Sequence, residues 1–211
     1  MCQGNGEVTA AHPFCVILQK DRLYFKGTDR AVFLDKREFT GPIYTQIKEA
    51  VDFVLRNIRL GATIDGLVRK EKYELPPEAI REMIINAHCH RNLLDESCIQ
   101  VAVYDDRLEV TSPGGLYNGL TYEEVMNGHS KIRNKGIANI FSQMGLVEAW
   151  GSGIKRILNA AEEYGLLKPR FQEFDNMFRV ELFRNSFPMT NEKENIRETS
   201  EKHRRSIGEA S

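Results

Sequence analysis

The sequence predicts an α+β fold, a two-layer α/β sandwich with helices on one face of a mixed sheet. Three observations predict it. The stretches 41–61 and 76–90 place apolar residues at helical spacing behind proline starts. Two β-rich runs, 99-IQVAVY-104 and 107-RLEVTS-112, are separated only by Asp105-Asp106. The order helix, hairpin, loop, helices, strand then gives a layer of helices against a sheet.

Taken in order, residues 1–12 read as irregular. The runs 13-PFCVILQ-19 and 31-AVFLD-35 are strand candidates, with 26-KGTD-29 as the turn between them. In 41-GPIYTQIKEAVDFVLRNIRLG-61, Pro42 suits the first helical position and Gly61 the residue just past the end. Ile43, Ile47, Val51, Val54 and Ile58 form the stripe to be buried, while Lys48, Glu49, Asp52 and Arg56 form a solvated face. A strand follows near 66–73. Pro76-Pro77-Glu78 then opens a second helix, which continues into 80-IREMIINAHCHRNLLDE-96.

The strands 99–104 and 107–112 form a tight hairpin. A Gly-rich stretch, 113-PGGLYNGLT-121, leads to a short helix at 121–127. Helical spacing resumes at Ile137, Ile140, Phe141 and Met144, and 150-WGSGIKRILNAAEEYG-165 launches a further helix. The run 177-MFRVELFR-184 closes the domain as a strand. From about Thr190 the only apolar residues are Ile196, Ile207 and Ala210, too few to bury a core. That segment reads as a solvated or helical linker, both ends look cut, and the chain is expected to be a piece of a longer protein.

Composition narrows the function classes. The chain has 211 residues, 41% hydrophobic and 28% charged, which is ordinary for a soluble globular protein of one domain with flanking pieces. A formal net charge of -1 gives no whole-chain field toward nucleic acid or membrane, so a basic patch must be local. No apolar run is long enough to span a bilayer, and the N-terminus lacks a signal-peptide core. Four cysteines without a C-x-x-C pair read as reduced thiols in a cytoplasmic protein.

The chemistry-bearing feature is a column of polar side chains on the second helix. At roughly 100° per residue, Glu82, Asn86 and His90 fall within about 80° of one another. Ile80, Met83, Ile84 and Ala87 fill the neighbouring arc, so the column faces the edge of the core, where a helix can overhang a cavity. A Glu can serve as a general base, and an Asn offers a neutral oxygen to Mg²⁺, which takes few protein ligands beside substrate phosphates. The same side chains could instead cap or bridge neighbouring elements. A shared metal on His88 and His90 is excluded, because residues two apart on a helix point about 200° apart. No second Cys/His cluster exists to complete a zinc site.

Two glycine stretches follow. Gly151-Ser152-Gly153 precedes a helix, whose bare N–H groups attract phosphate, although taken alone G-x-G is more often just a tight turn. Pro113-Gly114-Gly115-Leu116 reads either as a turn after a strand or as a second place of close backbone approach. Between them, 131-KIRNK-135 supplies Lys131, Arg133 and Lys135, either as a solvated loop or as charge for a polyphosphate.

In combination and in this order, E82-x3-N86-A-x2-H90-R91, 107-RLEVTSPGGL-116, R133-N134 and 145-GLVEAWGSGIKRI-157 resemble the GHKL-like (Bergerat-type) ATPase domain found as the C-terminal part of RecG-helicase-like transcriptional regulators. The resemblance covers about residues 70–185. It implies Glu82 as general base and Asn86 as the Mg²⁺ ligand of an ATP-binding site. It further implies a site completed by His90, Arg91, Ser112, Gly114, Gly115, Arg133, Asn134, Gly151, Ser152 and Gly153. Where most members of that superfamily carry an Asp at the start of the first glycine loop, this chain has Thr111 or Ser112. A hydroxyl accepts from an adenine amino group without charge, so selectivity for adenine is expected to be weaker and turnover slow or lost.

The region 26-KGTDRAVFLDKREFTGPIYTQI-47 resembles the end of the AlbA-type (Schlafen-like) domain that precedes this module and is implicated in nucleic-acid binding. The implied organisation is an AlbA-type remnant over 1–40, the GHKL-like domain over 41–188 and a charged linker or tail over 189–211. The implied function is nucleotide binding within a DNA-associated regulator, with DNA contacted through flanking parts and homodimerisation left open. The competing expectation is a non-catalytic dimerisation or signalling module. Helicase activity is excluded by the lack of any G-x-x-x-x-G-K-[ST] loop.

Overall fold

The computed structural model describes residues 14–19, 33–65, 68–147 and 152–185. Residues 1–12, the turn expected at 26–29, the tail 189–211 and Gly151 lie outside the described residues. The fold is the expected α+β sandwich. Its sheet has the order β2-β1-β5-β6-β8-β7, with β1 (Phe14–Gln19), β2 (Phe33–Phe39), β5 (Gln100–Val103), β6 (Arg107–Pro113), β7 (Arg170–Phe174) and β8 (Met177–Phe183). β1 runs parallel to β5 and every other pairing is antiparallel, so the sheet is mixed. β1 and β2, which precede the region of resemblance, therefore extend the same sheet beyond β5. β2 is described from Phe33 and runs past the expected end through Lys36-Arg37-Glu38-Phe39.

Helix α1 (Ile43–Asn57) starts one residue later than expected, with Pro42 as its N-cap. It buries Ile47, Ala50, Phe53 and Val54, and Gln46 joins them because its Nε2 donates to the Gly41 carbonyl at 2.7 Å. The helix stops at Asn57, where Ile58 turns extended, so Gly61 does not end it. Gly61 instead pairs with Lys72 in a separate hairpin of β3 (Leu60–Asp65) and β4 (Val68–Tyr73). β3 and β7 are the two strands that the sequence reading lacks.

Helix α2 (Pro77–His90) starts at the expected proline and is the spine of the helical layer. Ile80, Ile84 and Ile85 are fully buried and Met83 nearly so. Each such side chain contributes roughly 1.5–3 kcal/mol by leaving water. The hairpin across Asp105-Asp106 is present, with Gln100 opposite Thr111 and Val103 opposite Leu108. Alternation divides β6: Leu108, Val110 and Ser112 face the helices, and Glu109 and Thr111 face the other way.

That outer face is a charged lattice. Glu109 and Glu181 lie directly opposite each other on β6 and β8. Like charges so placed repel, and three arginines offset the repulsion. Arg107 meets Glu109 at 2.7 Å, Arg179 meets Glu109 at 3.5 Å, and Arg170 meets Glu181 at 3.2 Å.

Three further helices complete the layer: α3 (Tyr122–Met126), α4 (Lys135–Gln143) and α5 (Gly153–Glu163). α3 is stopped from fraying by a capping box, in which Thr121 and Glu124 each satisfy the other's backbone N–H. On α4 the burial falls on Ala138 and Phe141, while Ile140 and Met144 are each 46% exposed. The apolar spacing gives the helix correctly, but the buried stripe lies on one side of the set that spacing selects.

Candidate functional site

The cleft lies between the α2 column, the start of α5 and the loop after β6. Its apolar lining includes Met83, Val110, Phe171, Phe178 and Ile154. Glu82, Asn86 and His90 all line it, so the column expected from spacing does overhang a cavity. Glu82 is buried, and Asn86 and His90 are half-buried.

α5 closes on this column through Gly153. A Cβ there would stand 2.5 Å from both Asn86 Nδ2 and Glu82 Oε1, so with any other residue these two side-chain ends would have to shift. The Asn86 amide donates to Glu82 Oε1 at 3.2 Å, and Arg156, one turn into α5, meets Glu82 Oε2 at 3.5 Å. Burial raises the Glu82 carboxyl above its ordinary value, opposed by the charge of Arg156 and the bond from Asn86. His90 is held down at about 4 by burial and by Arg133, so its imidazole is neutral at pH 7. Burial also pushes the Cys89 thiol up to about 12, with Glu82 adding to the rise, which makes it an inert filler.

Between Thr111 and Ser112, the hydroxyl at the cleft is that of Ser112. Thr111 Oγ1 lies on the outer face, where it accepts from Arg179 Nε at 3.1 Å. Gly114 and Gly115 line the cleft, and each leaves room for the protein's own side chains. Gly114 has φ +97°, and a Cβ would meet Asn92 Cβ at 2.9 Å and the Arg133 guanidinium carbon at 3.2 Å. At Gly115 a Cβ would run into the carboxylate of Glu173, which accepts from the Leu116 N–H at 3.2 Å.

The segment 117–134 forms the outer wall, where Tyr117, Ser130 and Lys131 join the lining. It is tied down at both ends. Lys131 Nζ donates to the Asn118 carbonyl at 3.0 Å, and the Lys155 side chain lies against Gly128, which has φ +94°. Arg133 stands behind the first glycine loop, donating to the Gly115 carbonyl at 2.8 Å with its guanidinium 4.8 Å from the Tyr117 ring centre. Beside this wall, Lys131, Arg133 and Lys135 share a basic recess.

Three further expected site residues do not line the cleft. Asn134 Nδ2 donates to the carbonyls of Arg91 at 2.8 Å and His88 at 3.2 Å, so it satisfies the C-terminus of α2. Arg91 is buried and donates to the Ser97 carbonyl at 2.6 Å, bracing the loop after α2. Ser152 is the N-cap of α5. The residue that sequence reasoning missed is Arg156. Its only signal was a place three residues after Gly153, and pairing it with Glu82 requires knowing that α5 lies along α2.

The residues present fit Mg²⁺. Among the described residues no cluster of three or more His, Cys, Asp or Glu could cage a metal. A neutral amide oxygen beside a carboxylate at a cleft suits a cation that keeps most of its shell for water and phosphate. Among the described residues no helix is long and apolar enough to cross a membrane.

Residues 96–182 match the family model described as "Putative ATP-dependent DNA helicase recG C-terminal". That span holds the first glycine loop, the outer wall and α5, and begins after the Glu82/Asn86 helix. No curated protein matches the chain. Among solved structures, the DIP2311 protein from Corynebacterium diphtheriae superposes with a TM-score of 0.72 at 22% identity. The match covers 83% of this chain and 35% of that one, so this chain spans about a third of its length. The likeness shows the fold.

Proposed function

We propose that this chain is an ATP-binding domain within a DNA-associated transcriptional regulator, with ATP and Mg²⁺ as its ligands. The observation that carries the reading is convergence: Glu82, Asn86 and the glycine start of α5 meet in one cleft whose other wall is the Ser112–Gly115 loop. The match of residues 96–182 to a family of the ATPase-like kind supports it from an independent direction.

Asn86 would hold Mg²⁺ through Oδ1, since its Nδ2 is committed to Glu82. When bound, the ion neutralises charge on phosphate oxygens. Glu82 orients a water and takes its proton, a task its raised pKa suits better than that of a solvated carboxylate. Ser112 presents a neutral hydroxyl to the base, and the apolar lining excludes bulk water from it. His90 stays neutral and contributes a hydrogen bond without charge. DNA contact is assigned to flanking parts, in keeping with a net charge of -1, and nucleotide occupancy of the cleft is the signal passed to them.

Calorimetric titration of Mg·ATP into the wild type and Asn86→Ala tests this. The variant is expected to bind about tenfold or more weakly, by analogy with loss of an oriented metal contact. Equal affinity would sink the assignment.

One observation favours a second reading, a non-catalytic dimerisation or signalling module: Glu82 already has Arg156 as an ion-pair partner. That reading expects no nucleotide-dependent thermal shift and no change in phosphate release on Glu82→Ala.

A further inference from the structure

We infer that Arg156 is a positioning residue for the Mg²⁺ ligand, acting on Asn86 through Glu82. This rests on the nucleotide reading proposed above and adds to it a residue that no feature of the motif assigns.

Donors and acceptors set the orientation of the amide. An ionised carboxylate only accepts. Arg156 engages one oxygen of Glu82, Oε2, at 3.5 Å, which leaves Oε1 directed along the helix toward Asn86. Only the NH₂ end of the Asn86 amide can donate to Oε1, so this contact fixes which end of the amide faces Glu82. Oδ1, in the same amide plane, must then lie on the other side of the Cβ–Cγ bond, turned away from Glu82. Without the relay an Asn in that place could turn either way, and the wrong way would show a cation two N–H groups.

Gly153 closes the arrangement. A Cβ at this position would lie 2.5 Å from Asn86 Nδ2 and from Glu82 Oε1, so the start of α5 lies over both side-chain ends. The relay is therefore flanked on one side by a charge and on another by backbone. Arg156 itself is 34% exposed on its side chain, so it can be replaced without opening the core.

The role makes demands that simple packing would not. Mg²⁺ dependence of nucleotide binding should fall in Arg156→Gln, while binding in the presence of EDTA stays unchanged. Arg156→Lys, which keeps a cation, should retain most of the Mg²⁺ effect. Removing a partner that orients a metal ligand costs about 10–100-fold in metal affinity, so the ratio of the two affinities is expected to shrink about tenfold in Arg156→Gln.

Two measurements decide it. The first is calorimetry of ATP binding with Mg²⁺ and with EDTA on wild type, Arg156→Gln and Arg156→Lys. A ratio unchanged in Arg156→Gln, beside a Mg²⁺-dependent wild type, overturns the role of Arg156 and leaves the proposed function standing. A wild type with no Mg²⁺-dependent binding overturns both. The second uses ligand-free protein: the side-chain amide signals of Asn86 in ¹⁵N-resolved NMR. The relay expects a distinct, slowly exchanging pair in the wild type that Arg156→Gln shifts and speeds up. Identical signals in the two proteins overturn the relay whatever the titrations show.

Discussion

The two glycine segments look alike in sequence and differ in what they admit. At the first, Gly114 and Gly115 make room for Asn92, Arg133 and Glu173, three side chains that brace a loop. At the second, Gly153 makes room for Glu82 and Asn86, the two side chains to which the proposed function gives the water and the Mg²⁺. Both segments lean on α2, the first near its C-terminal end and the second at its middle. The lesson is that a glycine in a loop marks a close approach, and the approaching group is as readily the protein's own side chain as a ligand.

The largest disturbance is expected from loosening α2 itself, which would undo both contacts. Two histidines there are neutral in the fold. His88 is lowered to about 3, chiefly by burial and then by Arg91, and His90 to about 4. Both are depressed below the ordinary value near 6.5, so between those limits the unfolded chain binds more protons than the folded one. Stability therefore rises with pH across this window and is lost as pH falls from about 6.5 toward 4. Each histidine can contribute at most about 1.4 kcal/mol per pH unit. Thermal melts from pH 7 to pH 4.5 should show a steady fall, and His90→Gln should remove its share of the slope. A flat profile would break the claim that α2 carries neutral imidazoles.

A smaller effect, confined to the first loop, is expected from Gly114→Ala. The side chain meets both a left-handed backbone and the Cβ of Asn92, and the cost should be roughly 2–4 kcal/mol by chemical denaturation. If that loop only awaited a ligand, alanine there would cost no more than the strain of its left-handed backbone, about 1 kcal/mol.

The smallest is Gly153→Ala, where the obstacles are the ends of two side chains and φ is ordinary. The expected loss is roughly 1–2 kcal/mol. Its diagnostic value is chemical, because it parts Asn86 from Glu82 without removing a charge. Mg·ATP affinity should fall by a larger factor than in Gly114→Ala. The reverse order would show that the first loop, and not the second, is the one coupled to the ligand.

The sequence was informative where local chemistry governs. Pro76-Pro77 marked the start of α2, apolar spacing marked α1 and α4, the Gly151-Ser152-Gly153 run marked α5, and the Asp105-Asp106 turn marked the hairpin. The spacing of Glu82, Asn86 and His90 on one edge of a helix carried over directly into a shared cleft. Short strands were lost because β3 follows α1 almost at once and β7 has only the run Arg170–Phe174 to announce it. Gly61 suggested a helix end because glycine is common there, yet its partner is Lys72 across a hairpin. The roles of Asn134 and Arg156 depend on which elements lie beside which, and no local pattern encodes that. The expected strand 107–112 already parts Thr111 and Ser112 to opposite faces, but which of them meets the cleft depends on which face the helices cover.

The parallel pairing of β1 with β5 carries a kinetic consequence. Cys15 meets Gln100 only after α1, the β3–β4 hairpin and α2 have been laid down between them. Closing so long a loop costs entropy before any contact repays it. The antiparallel pairs β5–β6 and β7–β8 need only short turns, so they are the natural early structure and the N-terminal pair the late addition. The β6–β8 pairing also closes a long loop, from Pro113 to Met177, so the two hairpins are expected to precede the cleft that joins them.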